Sequence, residues 1–177
     1  MSTTITVPED LCLDTPLWHF AGRFWSRNAA QTAALMLQDR GWKVTDILCA
    51  LWLASEGRRF YGISAGPVIV WRSQVTESLR HLRRMISKAN PATETARACI
   101  ARGELEAEKV ELALAHRALT EGEQMFDTPH GSTVKTLALE NLQAAAPEKA
   151  MDKETGTLLE ALTRELEIFA AGEGSPC

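Results

Sequence analysis

Residues 45–57, Thr-Asp-Ile-Leu-Cys-Ala-Leu-Trp-Leu-Ala-Ser-Glu-Gly, decide the fold. A threonine that can cap a helix opens the stretch and a glycine that can end one closes it, leaving room for about three turns. Between them Ile47, Leu48, Leu51, Trp52 and Leu53 spread around the whole circumference, which is the pattern of a helix surrounded by other helices. The unbroken apolar run, Ile47 to Ala54, falls far short of the ~18 residues that a membrane-spanning helix requires. Thr45–Glu56 is therefore expected as the buried central helix of an all-α fold.

Outward toward the N-terminus, Gly41 is a stop signal for a helix through Ala33, Ala34, Leu35 and Leu37. Asn28 is placed to cap that helix, with Gln31 three residues on in the capping-box position. Before it, Thr15-Pro16 reads as an N-cap followed by proline at the first helical position. The helix it opens, Leu17 to Arg27, places Trp18 and Trp25 seven apart and Phe20 and Phe24 four apart.

Outward toward the C-terminus, Arg58 to Gly66 is a glycine-punctuated connection. Val68, Trp71, Val75, Leu79, Leu82 and Ile86 then recur at three- and four-residue steps and predict one apolar stripe along a helix to Lys88. Arg80, Arg83, Arg84 and Lys88 fall on other faces. Asn90-Pro91 separates this helix from the next, in which Leu105, Leu112, Leu119 and Phe126 recur every seven residues, flanked by Glu104, Glu106, Glu108 and Glu111. After a break at Asp127–Gly131, Val134–Ala145 and Asp152–Ala171 read as two more helices. The last has Leu159, Leu162, Leu166 and Phe169 on one side, and the end from Gly172 is expected to fray. The sum is a compact bundle of about six to seven helices.

Charge is unevenly distributed along the 177 residues. Arg58–Lys88 holds seven basic residues and one acidic, net +6, whereas Ala89–Cys177 holds eight basic and sixteen acidic, net −8. A short turn between a basic and an acidic helix lays them antiparallel with their charges paired, so the asymmetry has an internal explanation before any partner is invoked. The four cysteines, Cys12, Cys49, Cys99 and Cys177, include no Cys-x-x-Cys pair, which fits reduced thiols and no zinc site; Cys49 and Cys99 are expected to pack. With Glu9, Asp10 and Asp14 and no Lys or Arg before Thr15, the N-terminus does not read as an export signal, and a cytoplasmic location is expected.

The stretch from Phe24-Trp25 through Leu35–Asp39, Gly41, Val44 and Ile47–Ala54 resembles an uncharacterised family of small proteobacterial proteins. Its pattern is LQD...G..V...LL..LWLA..G, and it is known only as a domain of unknown function. The likeness continues more loosely through Val75–Arg84 and Glu104–Glu108, so residues 12–126 are the matching core and 127–177 a C-terminal helical extension of a single domain. Thr45 stands where the pattern has asparagine, another capping residue. The resemblance implies a bacterial origin and a helical domain, with no activity or catalytic residues to carry over.

Three motifs suggest chemistry. Gly62-Ile-Ser64-Ala-Gly66 matches G-x-S-x-G, the serine elbow of hydrolases, with His81, His116 and His130 later in the chain; the elbow works only where a strand turns sharply into a helix, and no strand is expected here. Helix–Gly41–helix has the outline of a helix-turn-helix, but its second helix would offer Ile-Leu-Cys-Ala-Leu-Trp-Leu to the bases where polar groups are needed. The carboxylates from Glu104 to Glu111 lack the Glu-x-x-His partners of helical metal sites, and His19, sitting among aromatics, is expected to be packed or at a boundary. No metal or cofactor is expected, and nucleic acid is disfavoured as a ligand.

What remains is interaction. A non-enzymatic helical protein that binds another protein or a second copy of itself is the leading expectation, through the basic face around Arg80, Arg83, Arg84 and Lys88 or the helix Leu159–Phe169. The alternative is a carrier of a lipid or other small molecule in an apolar pocket lined by Trp18, Trp25, Trp52 and Trp71. A serine hydrolase using Ser64 is the remote third.

Overall fold

A computed structural model describes residues 4–121, 131–147 and 152–173. The described residues form eight α-helices and no strand. The helices are α1 (Pro16–Trp25), α2 (Asn28–Asp39), α3 (Val44–Ser55), α4 (Gly66–Trp71), α5 (Glu77–Met85), α6 (Glu94–Glu121), α7 (Val134–Ala144) and α8 (Lys153–Glu173). A π-helical turn, Arg72–Thr76, joins α4 to α5, and a 3-10 turn, Pro91–Thr93, leads into α6. The all-α expectation is met. The chain divides into two compact units, one made of residues 16–62 and 123–177 and the other of 1–15 and 63–122.

In the first unit, α3 packs against α1, α2, α7 and α8, as its apolar circumference requires. Every residue from Ile47 to Ala54 is buried. The apolar face of α8 closes over this core, with Leu159, Leu162 and Leu166 at 0% exposure. Phe169, further along α8, meets Phe20 and Phe24 of α1 edge to face at 5.4 and 5.9 Å between ring centroids, and Arg23 lies 5.4 Å over the Phe169 ring.

Two glycines end helices here for a stated geometric reason. Gly41 and Gly57 both have positive φ, which lets the chain curl back so that late carbonyls regain partners. Gly41 N–H donates to Gln38 O and Trp42 N–H to Leu37 O; Gly57 N–H donates to Ala54 O and Arg58 N–H to Leu53 O. The first of these paired closures puts Trp42 just past the helix end, where an apolar side chain turns back onto the last turns, and Trp42 is fully buried. Sequence periodicity had placed the other four tryptophans on apolar faces and passed over this one. The N-termini differ from expectation. Arg27 and Lys43, both extended, occupy the cap positions with no side-chain cap bond; Asn28 and Thr45 are already inside their helices.

Asn141 of α7 is the polar clasp of this unit. Its Nδ2 donates to Ala50 O at 3.0 Å and to Arg58 O at 2.9 Å, and its Oδ1 accepts from Phe60 N–H at 2.9 Å. A buried amide with both ends bonded fixes the path of the chain after α3, which no period-based reading could show. Two ion pairs tie α2 to the last helix region: Arg27 Nε to Glu165 at 2.7 Å, and Arg40 to Asp152 at 3.2 Å and to Glu154. Asp152 also caps α8, accepting from Thr155 N–H at 2.7 Å, and Thr133 caps α7, accepting from Thr136 N–H at 3.1 Å.

In the second unit, α4, the π turn and α5 form one rod that runs antiparallel to α6. Asn90 makes the reversal, its Oδ1 accepting from Ala92 N–H at 3.0 Å. Asp10 joins this unit through Arg117, at 2.8 Å.

The π turn corrects the expected stripe. One extra residue in a helical turn rotates everything beyond it by about a quarter turn or more relative to an unbroken α-helix. Val68 is buried as expected, but beyond the turn Thr76, Arg80 and Arg83 face inward and Leu82 is 49% exposed. The helix also stops at Met85, so Lys88 lies in the following turn. On α6 the expected seven-residue stripe holds for Leu112 and Leu119 and fails at Leu105, which is 52% exposed; Phe126 lies outside the described residues. Glu104, Ala107 and Glu111 are buried there instead. Cys49 is buried, while Cys99 is exposed, contrary to the expectation that it packs; Cys177 lies outside the described residues.

Candidate functional site

The α4–α5/α6 hairpin concentrates the polar side chains that α-helical packing normally keeps outside. Arg72, in the π turn, places Nε 2.7 Å from Oε1 of Glu111 on α6. Glu111 is 2% exposed and Arg72 12%, so this pair lies in the hairpin interior. One turn earlier on α6, Ala107 O accepts from Trp71 Nε1 at 2.9 Å. Further toward the tip, Glu104 receives two arginines: Arg80 Nε at 3.0 Å on Oε1, and Arg83 through both Nε and Nη2. Arg80 Nη2 reaches Glu108 at 2.7 Å. Arg97 Nε donates to Ile86 O at 3.2 Å and holds the tip together.

The two carboxylates respond in opposite directions. Burial alone would raise the Glu104 carboxyl, but the hydrogen bonds and charges of Arg83 and Arg80 outweigh it and hold the group below the ordinary range. Glu108 is pushed up, first by burial and then by the neighbouring Glu104 and Glu111 charges, against the partial pull of Arg80. Because these pairs are removed from water, Glu104 and Glu111 are not the exposed pairs of ~0–1 kcal/mol that the sequence suggested. Thr76, at the end of the π turn, is also buried, and its hydroxyl has no hydrogen-bond partner.

The expected basic face thus divides in two. Arg80 and Arg83 turn inward to the glutamates, while Arg84 and Lys88 stay on the outside. With them on the outer side of the rod stand His81, Leu82 and Met85, the last 69% exposed. Ile69 and Val70 continue the exposed apolar surface on α4. This combination of large apolar groups and basic groups on one helix is the feature most unlike an ordinary solvated face.

The other candidates are placed as follows. Trp52 is buried and Trp18 and Trp25 are half-buried in the first unit, whereas the half-buried Trp71 belongs to the hairpin and bonds Ala107 O. Ser64 is exposed in the connection between Gly62 and α4, and no strand leads into it among the described residues. The second helix of the helix-turn-helix outline, α3, is buried around its circumference and leaves no side open to a DNA groove. His19 and His81 are exposed, His116 is half-buried, and His130 lies outside the described residues. No group of three or more His, Cys, Asp or Glu side chains with metal-binding geometry occurs among the described residues, nor is any described helix long and apolar enough to cross a membrane.

Sequence reasoning missed Arg72, Glu111 and the inward turn of Glu104. The only signal available was the contrast of +6 and −8 between adjacent segments, which predicts pairing without saying which glutamates are buried.

Residues 16–114 match the family model described as a protein of unknown function (DUF2390), and the chain belongs to that family. The match runs from α1 into the middle of α6, so it includes the whole of the α4–α5 rod and all three buried or half-buried glutamates, Glu104, Glu108 and Glu111. No curated protein and no solved structure matches the chain.

Proposed function

We propose that this member of a family without an assigned activity is a non-enzymatic helical protein that binds another protein through the outer face of α5. The observation that carries the reading is Met85, 69% exposed beside Leu82 and flanked by Arg84 and Lys88. Exposed large apolar side chains next to charges that are not drawn inward make a contact surface, since each loses little by leaving water only when a partner supplies matching chemistry. The other surface considered from sequence, the helix Leu159–Phe169, has its leucines within the chain's own core, which leaves α5 as the better candidate.

Affinity purification of the tagged protein from its native cell at moderate salt, with mass spectrometry of proteins and small molecules, tests this. A reproducible protein partner should be retained by the wild type and lost with Met85→Asp, a change at an exposed position that leaves the far-UV circular dichroism unaltered. Retention of the partner by Met85→Asp would move the contact elsewhere. A stoichiometric small molecule with no protein would replace the reading with the carrier.

A further inference from the structure

We infer that the partner of the outer α5 face is an acidic amphipathic helix of another protein, and that it packs on α5 in the manner of α6. This deepens the interaction role proposed above and rests on it. The inner side of the rod shows how α5 accepts a neighbour: Leu79 packs, Arg80 and Arg83 project beside it, and α6 answers with Glu104 and Glu108, one turn apart. Between and before those carboxylates stand the small residues Gly103 and Ala107; a Cβ at position 103 would lie 3.9 Å from Leu79 Cδ2, so α6 approaches closely.

The outer side repeats the composition. Leu82 and Met85 supply the apolar ridge, with Arg84 and Lys88 one turn apart beside it. On the inner side the positive charge is neutralised within the hairpin; at Arg84 and Lys88 it stands at the surface. Charge complementarity calls for carboxylates about 6 Å apart along the partner, the spacing of residues i and i+4 on a helix. Apolar contact with Leu82 and Met85 calls for small or apolar residues between them, as Ala107 stands between Glu104 and Glu108. An extended acidic tail would meet the charges but not the ridge, and a neutral apolar helix would meet the ridge but leave Arg84 and Lys88 facing it.

The test is photo-crosslinking in the native cell, with p-benzoylphenylalanine replacing Met85 in one full-length strain and the exposed Ile168 of α8 in another. The adduct from position 85 should map to a protein segment with carboxylates four residues apart and a net negative charge. Adding Arg84→Glu and Lys88→Glu should cut its yield by about tenfold, whereas Arg84→Lys with Lys88→Arg should preserve most of it. An adduct at position 85 with lipid, nucleic acid, a second copy of this chain, or a neutral or basic segment overturns the inference, as does a yield indifferent to charge reversal. Adducts at 168 alone overturn it while leaving an interaction role intact; adducts at neither position overturn both.

Discussion

The unit built around α3 and the α4–α5/α6 hairpin use the same element type and are held by different forces. Around α3 the contacts are apolar: Ile47–Ala54 and the three leucines of α8 are buried together, and the one polar residue deep among them, Asn141, has both ends of its amide bonded. In the hairpin, arginines and glutamates occupy the inward positions, and apolar residues such as Leu82, Met85 and Leu105 stand outside. Apolar burial is non-directional and tolerates small adjustments, whereas a buried ion pair is sensitive to geometry and to the loss of either member. The first kind of unit is built for stability; the second holds a register and leaves an apolar surface available.

The largest effect expected is in the α3 unit. Leu51→Ala removes most of a fully buried side chain and should lower stability by about 3–5 kcal/mol, read from chemical denaturation. A loss under about 1 kcal/mol would mean that the α3 core is not the tightly packed one described. Glu111→Ala leaves Arg72 in the hairpin interior without its carboxylate and should cost about 3 kcal/mol. The double variant Arg72→Met/Glu111→Leu should recover most of that loss, because replacing both charges removes the desolvation penalty together with the attraction. Failure to recover would show that the pair contributes more than register.

Asn141→Ala should cost about 2–3 kcal/mol, since it leaves Phe60 N–H and Arg58 O without their side-chain partner in a buried place. Its signature is faster amide exchange at residues 58–60 by NMR, ahead of any change in the hairpin. A smaller effect separates the two units by pH. Glu104, held below its ordinary value of 4.5, contributes stability that is present above that value and is lost as pH falls through its lower folded one. Glu108, pushed above the same ordinary value, acts with the opposite sign and gains relative stability as pH falls through its raised one. The hairpin should therefore resist mild acid and weaken only below about pH 4.5, where Glu104→Gln should flatten the fall; denaturation midpoints across pH 3–7 check this. The smallest effect is at Lys135, whose exposed pair with Glu167 spans 3.8 Å; Lys135→Ala should change stability by less than about 0.5 kcal/mol.

Most of the helical framework was legible. Proline at the start of α1, glycines after α2 and α3, Asn90-Pro91 before α6 and the apolar run of α3 are local signals, and a helix terminus is largely a local matter of φ, capping and the missing proline N–H. The basic and acidic helices pair as their charges suggested. The site was legible only in outline. Arg80, Arg83, Arg84 and Lys88 were recognised as one group, and the structure divides them between the interior and the surface.

By itself the sequence determined an all-α chain with α3 at the centre of its unit, because an apolar helix has nowhere to go but among others. Tertiary structure alone decided which way the α4–α5 rod faces. A π turn at Arg72–Thr76 rotates the residues after it, and an ideal 3.6-residue period cannot anticipate that rotation. That rotation turns Arg80 and Arg83 onto Glu104 and leaves Leu82 and Met85 in water, so the surface that carries the proposed function exists only once the two helices have packed.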